Sequence, residues 1–215
     1  MAEILTVSPE QPEQPHVERA VELLWRGDVV VIPTDTLYGL AADPFNLAAV
    51  TAIYRIKGRP ERKALPILIA EVGQARDLAR EMPDIFYRLA EKFWPGPFTM
   101  VVDASSRLPF KITGHTGRVA LRIPDARIPC AVIHAFNCPV TGTSANLAGH
   151  DPCMSAAEVA YQIGERVPLI LDGGETRGFM ASTVVDVRGD HWRILRDGPI
   201  HESDIRDALG EILRG

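Results

Sequence analysis

Segments with the apolar spacing of helices alternate with short apolar segments typical of strands along almost the entire chain. The spacing predicts helices at residues 16–26, 46–58, 74–80, 84–92, 128–135, 155–163 and 202–213. Strands are predicted at residues 28–33, 66–70, 98–102, 119–123, 139–141, 169–171, 183–187 and 192–195. The last two strands are expected to pair antiparallel, so the sheet should be mixed. This interleaving predicts one α/β domain.

No linker rich in glycine and serine or in proline divides the 215 residues. We therefore expect an N-terminal tail at residues 1–15 and one domain at residues 16–215. The tail lacks the apolar core of a signal peptide, and no segment approaches the ~20 apolar residues of a membrane span. The cysteines Cys130, Cys138 and Cys153 fit neither a disulfide framework nor a C-x-x-C metal pair. These features predict a cytoplasmic protein that does not enter a membrane.

A basic cluster lies in a chain whose formal net charge is −5. Five cations and one acid fall within Arg55–Lys63, which makes this segment a candidate phosphate site. Two interpretations are open. The cluster is either a solvated helix end stabilised by the helix dipole, or a phosphate site. In the second case Gly58 and Pro60 would hold Lys57 and Arg59 just past the helix.

Two hydroxyl-rich turns follow predicted strands, at the place where open α/β folds usually bind ligands. Residues 33–39 read Pro-Thr-Asp-Thr-Leu-Tyr-Gly, and their polar side chains either meet a ligand or satisfy only the local backbone. Residues 141–146 read Thr-Gly-Thr-Ser-Ala-Asn, which suits the binding of a nucleotide by backbone N–H groups and side chains. A nucleophile elbow at Ser144 is disfavoured, because Asn146 replaces the second glycine and no histidine can be assigned as its base.

Arg122 interrupts an apolar strand, and an arginine in that setting usually has an anionic partner. Both a ligand and a structural Asp or Glu remain open as that partner. The segment Trp94-Pro95-Gly96-Pro97 predicts a rigid turn with a core tryptophan and no chemistry. The chain contains neither G-x-x-x-x-G-K-[ST] nor G-x-G-x-x-G, so a nucleotide would have to bind by another architecture.

Taken together, seven segments resemble the YrdC family of threonylcarbamoyl-AMP synthases in its short, single-domain form. The segments occur in the family's order and span roughly residues 16–200. They are Pro-Thr-Asp-Thr-x-Tyr-Gly at 33–39, Lys-x-Arg-Pro at 57–60, Trp-Pro-Gly-Pro-x-Thr at 94–99, Val-Ala-Leu-Arg-Ile-Pro at 119–124, Thr-Ser-Ala-Asn-Leu at 143–147, Ser-Thr-Val-Val at 182–185 and Leu-Arg-x-Gly at 195–198.

The resemblance implies an open, twisted mixed β-sheet flanked by helices, with a concave basic surface. It also implies a nucleotidyltransferase that converts L-threonine, bicarbonate and ATP, which carries Mg²⁺, into threonylcarbamoyl-AMP and pyrophosphate. A downstream threonylcarbamoyl transferase complex would pass the threonylcarbamoyl group to tRNA. The resemblance is also compatible with a direct contact between this chain and tRNA. Two alternatives stay open: an RNA-binding module of the same fold without synthase activity, and a carbamoyl-transfer domain like that of hydrogenase maturation proteins.

The resemblance also assigns site residues, without any metal ligand from the protein. The family's catalytic and nucleotide-binding tetrad falls on Lys57, Arg59, Ser144 and Asn146, and Arg196 matches a nucleotide-contacting arginine. The threonine-site positions fall on Thr34, Arg122 and Ser182, with Thr36 as a further candidate. The chain departs from the family at the histidine that often follows Lys-x-Arg-Pro, where Leu68 or a neighbour stands. The second, C-terminal domain of the longer members is not expected.

Overall fold

The computed structural model describes residues 1–178, 180–189 and 191–210. Strands and helices alternate through these residues, as the apolar spacing predicts. In chain order they are β1 Glu3–Thr6, α1 Gln14–Trp25, β2 Val30–Ile32, β3 Gly39–Ala41, α2 Leu47–Lys57, β4 Ile67–Leu68, α3 Ala75–Leu78, α4 Asp84–Phe93, β5 Phe98–Asp103, β6 Arg118–Arg122, α5 Arg127–Phe136, β7 Val140–Thr141, β8 Thr143–Ser144, α6 Ala156–Ile163, β9 Leu169–Asp172, β10 Thr183–Asp186, β11 Arg193–Arg196 and α7 Glu202–Leu209. The predicted end of the last helix, at residues 211–213, lies outside the described residues.

The strands form two mixed sheets. The five-stranded sheet has the order β1-β9-β2-β3-β8, and the six-stranded sheet has the order β11-β10-β5-β6-β4-β7. The α/β class and the mixed pairing are confirmed, and β10 and β11 pair antiparallel as predicted. The sequence predicted one sheet. It missed β3 and β8, which are defined by their pairing with distant strands; β8, moreover, consists of the polar residues Thr143 and Ser144 and shows no apolar pattern.

The N-terminal tail predicted at residues 1–15 is wrong in part, because this segment contains a strand and the start of α1. Glu3–Thr6 pairs parallel with β9, and the N–H of Val7 continues the ladder to the carbonyl of Asp172. The strand is at the edge of its sheet, and Ile4 is 48% exposed. An edge strand held mainly by backbone hydrogen bonds needs no apolar pattern, so the composition gave no sign of it.

Two apolar clusters fill the interior. The larger one surrounds Tyr38, Phe86 and Phe98, and the smaller one lies where α1 and α5 pack together, around Leu24 and Phe136. No helix in the described part of the chain combines the length and the apolar character that a membrane crossing requires.

Between β7 and β8 the chain passes from one sheet to the other within a single residue, a glycine. Val140–Thr141 belongs to the six-stranded sheet and Thr143–Ser144 to the five-stranded sheet, with Gly142 between them. A Cβ atom at Gly142 would lie 2.5 Å from the Cγ of Leu68, so only glycine fits without displacing that side chain. This passage places the hydroxyl-rich turn that follows at the junction of the two sheets.

Candidate active site

Most of the predicted site residues line one pocket of about 360 Å³, and strands of both sheets contribute to its walls. Eight of the nine line it: Thr34, Thr36, Arg59, Arg122, Ser144, Asn146, Ser182 and Arg196. None of the described residues that line it is acidic, and of its three guanidinium groups only that of Arg122 pairs with a carboxylate of the described residues. We call this space the arginine pocket. Its charge favours an anionic ligand, although the whole chain is acidic.

The ninth residue, Lys57, lies in α2, and the caps at both ends of this helix determine its position. Asn46 caps the helix by accepting hydrogen bonds from the N–H groups of Ala48 and Ala49, at 3.0 and 3.2 Å. Gly58 ends it in the left-handed conformation, with φ 61°. Lys57 is therefore the last helical residue and not part of the following loop. The prediction of a lysine just past the helix is wrong, because the left-handed glycine closes the helix one residue after it.

The ammonium group of Lys57 is buried and holds the turn at residues 144–146. Its Nζ donates to the carbonyl oxygens of Ser144 and Asn146, the latter at 2.9 Å, and to Asn146 Oδ1 at 3.2 Å. The residue is only 4% exposed, which excludes a solvated helix end for this lysine. Burial, aided by the positive charge of Arg59, lowers the pKa of Lys57 to about 8.

One donor of Arg59 has no partner among the described residues. Its two terminal nitrogens donate to Thr143 Oγ1 at 3.0 Å and to the carbonyl oxygen of Ala64 at 2.9 Å. Its Nε is buried and meets no acceptor among the described residues. Burial also lowers the pKa of the guanidinium. An unpaired buried N–H is unfavourable, so Arg59 is suited to an anionic ligand that would accept from it. Thr143, which accepts one of these hydrogen bonds, lies in the predicted turn but is not among the site residues that the sequence predicts.

Thr34 serves the turn in which it lies. Its hydroxyl donates to the carbonyl of Leu37 at 2.7 Å and accepts from the N–H groups of Thr36 and Leu37, each at 3.1 Å. The donor of this hydroxyl is thus already used, which is the local-backbone interpretation left open above. Thr36 is different, because its hydroxyl accepts from Arg122 at 2.8 Å and so belongs to the site.

Arg122 is 6% exposed and has a structural anionic partner, Asp35. The N–H groups of Arg122 donate to the Gly96 carbonyl at 2.9 Å, to Thr36 at 2.8 Å and to Asp35 Oδ1 at 2.6 Å. Burial lowers the pKa of Arg122, and Asp35 opposes that shift. The sequence contains Asp35 in the motif but does not show which cation it meets, because 87 residues separate the pair.

Ser182 and Arg196 lie together at another wall of the pocket. Arg196 donates to the Ser182 carbonyl at 3.0 and 2.7 Å and to its hydroxyl at 3.1 Å. Burial and the nearby Arg122 lower the pKa of Arg196. Thr99 was missed by the sequence analysis, yet its hydroxyl lies 2.7 Å from that of Ser182.

The segment before Thr99 also contributes to the site. Trp94 packs in the core as predicted, and its Nε1 donates to the Phe98 carbonyl at 2.6 Å. Gly96, two residues after Trp94, supplies the carbonyl that accepts a hydrogen bond from Arg122. The turn therefore orients a site arginine, although the sequence assigned it no chemistry.

The turn at residues 141–146 is not arranged as a nucleophile elbow. The Ser144 hydroxyl donates to Asn146 Oδ1 at 2.6 Å, where a nucleophile would need a base. The N–H groups of Gly142 and Ala145 donate to the carbonyls of Pro66 and Tyr38, both at 2.8 Å, so they are not free for a nucleotide. No group of three or more His, Cys, Asp or Glu residues in the described part of the chain could hold a metal ion.

Comparisons with known proteins identify the family of this chain. The family model Sua5_yciO_yrdC, described as "Telomere recombination", matches residues 22–198. A threonylcarbamoyl-AMP synthase of Pyrococcus abyssi is 37% identical over 94% of this chain, which spans 60% of that relative's length. One of Vibrio campbellii is 32% identical over 84% of this chain and 98% of its own. The crystal structure of P. abyssi Sua5 complexed with L-threonine superimposes with a TM-score of 0.94 at 36% identity, covering 98% of this chain and 62% of that one. By sequence and by fold, the chain belongs to the Sua5, YciO and YrdC family.

Proposed function

We propose that the chain is a threonylcarbamoyl-AMP synthase, which forms threonylcarbamoyl-AMP and pyrophosphate from L-threonine, bicarbonate and ATP. One observation carries the proposal: three guanidinium groups line the arginine pocket beside the hydroxyls of Thr36, Ser144 and Ser182, and only that of Arg122 pairs with a carboxylate of the described residues. Such a pocket suits two substrates that both carry anionic groups. The names of the relatives at 37% and 32% identity support the same reaction.

The reaction needs positioning and charge stabilisation more than a protein nucleophile. The threonine ammonium loses a proton, and its nitrogen bonds to the carbon of bicarbonate, which leaves one water and a carbamate. A carbamate oxygen then attacks the α-phosphorus of ATP, and the bond from that phosphorus to the pyrophosphate oxygen breaks. Charge develops on the phosphate oxygens in the second step, where buried cations are most effective.

We assign the nucleotide end of the pocket to Arg59, Ser144, Asn146 and Arg196. The unpaired Nε of Arg59 is the observation that favours an anion there. Lys57 places the Ser144–Asn146 turn and adds a positive charge behind it. Mg²⁺ would arrive as part of the MgATP substrate.

We assign the threonine end to Arg122, Ser182, Thr34 and Thr36. Arg122 carries five N–H donors and uses three of them within the described residues, which leaves two for a carboxylate. Ser182 is the better candidate for the substrate hydroxyl, because the donor of Thr34 is used by its own turn. In this proposal the cytoplasmic product passes to a downstream transferase complex that modifies tRNA.

Purified protein given MgATP, bicarbonate and L-threonine should release pyrophosphate and AMP-linked product, and neither ADP nor phosphate. The expectation follows from attack at the α-phosphorus. Mass spectrometry identifies the product, and a coupled assay measures pyrophosphate. Turnover without RNA separates the synthase from an RNA-binding module of the same fold. ADP formation that does not depend on threonine would overturn the proposal.

Nucleotide binding should depend on pH through Lys57. The ammonium form attracts phosphate and predominates below its pKa of about 8. The affinity for ATP should therefore be constant below about pH 8 and should fall by up to about tenfold per pH unit above it. Isothermal titration calorimetry from about pH 6 to about pH 10 measures this profile. Lys57→Met is the control, which should bind weakly at every pH and show no break. A wild-type affinity that stays constant to about pH 10 contradicts the assignment.

A further inference from the structure

The loop that carries Arg59 is held in place from outside the arginine pocket. This loop, residues 59–65, lies between α2 and β4, and we call it the Arg59 loop. Two segments contact it: α2, and the connection between β5 and β6 at residues 104–117, which we call the β5–β6 loop. None of the described residues that line the arginine pocket belongs to the β5–β6 loop. Its contacts with the Arg59 loop therefore act on the pocket only indirectly.

Tyr54 of α2 contacts the Arg59 loop at two places. Its backbone carbonyl accepts a hydrogen bond from the N–H of Arg59 at 3.0 Å. Its hydroxyl lies 2.9 Å from the carbonyl oxygen of Lys63 and 2.8 Å from that of Lys111 in the β5–β6 loop. A phenol has a single O–H, so these two carbonyl oxygens share one donor. Tyr54 is 3% exposed, and burial raises its pKa, so the hydroxyl keeps its proton at neutral pH.

An ion pair joins the same two loops. The Lys111 ammonium donates to Glu61 Oε1 at 2.8 Å and to Thr51 Oγ1 of α2 at 3.2 Å, and its side chain is 19% exposed. The N–H of Leu65 also donates to the Ile112 carbonyl at 2.9 Å. We call Tyr54 and the Lys111–Glu61 ion pair the outer clamp.

The two loops approach each other too closely to leave room for a side chain between them. A Cβ atom at Gly114 would lie 2.5 Å from the carbonyl oxygen of Arg62 and 2.7 Å from the nitrogen of Ala64, and φ of Gly114 is +57°. Only glycine fits there without a shift of the backbone. The position of Ala64 thus depends on the β5–β6 loop. Arg59 depends on it in turn, because it donates to the Ala64 carbonyl at 2.9 Å.

The guanidinium of Arg59 therefore takes its orientation from a loop that other residues hold. We propose that the outer clamp positions Arg59 for the phosphates of ATP. The inference rests on the proposed function and extends it, because the three residues of the clamp do not line the arginine pocket and act through Arg59. A misplacement of about 1 Å in a group that positions or stabilises the reacting atoms can lower a rate by about 10²-fold. Small displacements of this loop are therefore expected to affect turnover.

A purely structural role for Tyr54 makes a different prediction. If its hydroxyl only stabilises the fold, removing the hydroxyl lowers the melting temperature and leaves the kinetic constants of the folded protein unchanged. If the hydroxyl acts through Arg59, its removal lowers the rate only while Arg59 is present. A double-mutant cycle over the two residues separates these roles.

The test uses Tyr54→Phe, which removes the hydroxyl and keeps the ring that packs in the core. In the wild-type background it should lower kcat/KM for ATP, measured by pyrophosphate release, by about 10- to 100-fold. The KM for L-threonine should stay within about twofold of wild type. In the Arg59→Ala background the same change should alter kcat/KM by less than about threefold. Tyr161→Phe is the matched control, because this tyrosine is 92% exposed, and it should leave every constant unchanged.

Lys111 tests the clamp by a second route, which decides the matter if melting temperatures show that Tyr54→Phe does not fold. Lys111→Met leaves Glu61 without its partner and should lower kcat/KM for ATP by about threefold to tenfold. Lys111→Arg keeps a cation that can pair with the carboxylate and should restore most of the loss. Wild-type kcat/KM in Lys111→Met would contradict a positioning role for the ion pair.

Two results for Tyr54→Phe would overturn the inference. One is a wild-type kcat/KM, and the other is a loss of equal size with and without Arg59, which would return Tyr54 to a structural role. If the wild type releases no pyrophosphate, the proposed function fails. Calorimetry with ATP then applies the same cycle to binding, where the effect of Tyr54→Phe should again require Arg59. Absence of ATP binding as well would overturn both.

Discussion

Replacing Arg59 with alanine should lower the rate of pyrophosphate release by about 10²–10³-fold, with the fold intact. Arg59 is the pocket cation whose buried Nε meets no described acceptor, so its loss removes a donor that the phosphates would use. Loss of one preorganised donor to developing charge typically has an effect of this size. Steady-state pyrophosphate release measures the rate, and the melting temperature reports the fold.

Two variants of the same segment serve as controls for Arg59→Ala. Arg59→Lys should rescue only part of the rate, because the ammonium keeps the charge but not the planar fork that reaches Thr143 and Ala64. Arg62 is exposed, and Arg62→Ala should leave the rate unchanged and alter the stability by at most about 0.5 kcal/mol. Wild-type turnover in Arg59→Ala would overturn the assignment of the nucleotide end.

Valine should be used at least about 10⁴-fold less efficiently than threonine, as judged by the ratio of kcat/KM values. Valine has the shape of threonine but replaces the hydroxyl with a methyl group. A site built to pair with a hydroxyl leaves its own buried polar groups unpaired when that hydroxyl is missing, which is strongly unfavourable. Here the buried hydroxyls of Ser182 and Thr99 would lose the hydrogen bond that the threonine hydroxyl provides.

Ser182→Ala tests the origin of this discrimination. The variant should lose threonine turnover and retain most of its weak valine turnover, so the ratio of the two should shrink. The experiment measures pyrophosphate release with each amino acid at saturating ATP. Comparable turnover of the two amino acids by the wild type would show that the pocket does not recognise the hydroxyl.

The sequence predicted the long elements and most of the short ones, but it missed the strands β1, β3 and β8. Helices such as α1 and α4 have buried residues at helical spacing, and that spacing is visible without a structure. The strands β1, β3 and β8 are two to four residues long, and their pairing depends on neighbours distant in the chain. Such pairing is set by tertiary contacts, which a local pattern does not contain.

For the site, the sequence identified the residues better than their partners. The motifs predicted that Arg122 and residues of the turn at 34–36 belong to the site, and both line the pocket. They did not predict that Asp35 would meet Arg122, nor that Lys57 would point inward onto the 144–146 turn. Both contacts join segments more than 80 residues apart, so they follow from the register of the sheets and not from any local preference.

Gly142 connects a strand of one sheet directly to a strand of the other, next to the residues to which we assign the chemistry. Ser144 and Asn146, which we assign to the nucleotide end of the pocket, follow immediately after it, while Leu68 of the other sheet fills the space that a side chain at position 142 would need. Loosening either sheet therefore disturbs the same short turn. Any circular permutation, split version or inserted reporter must keep residues 140–146 uninterrupted. Substitutions that destabilise the packing of either sheet should lower turnover at temperatures below the melting temperature.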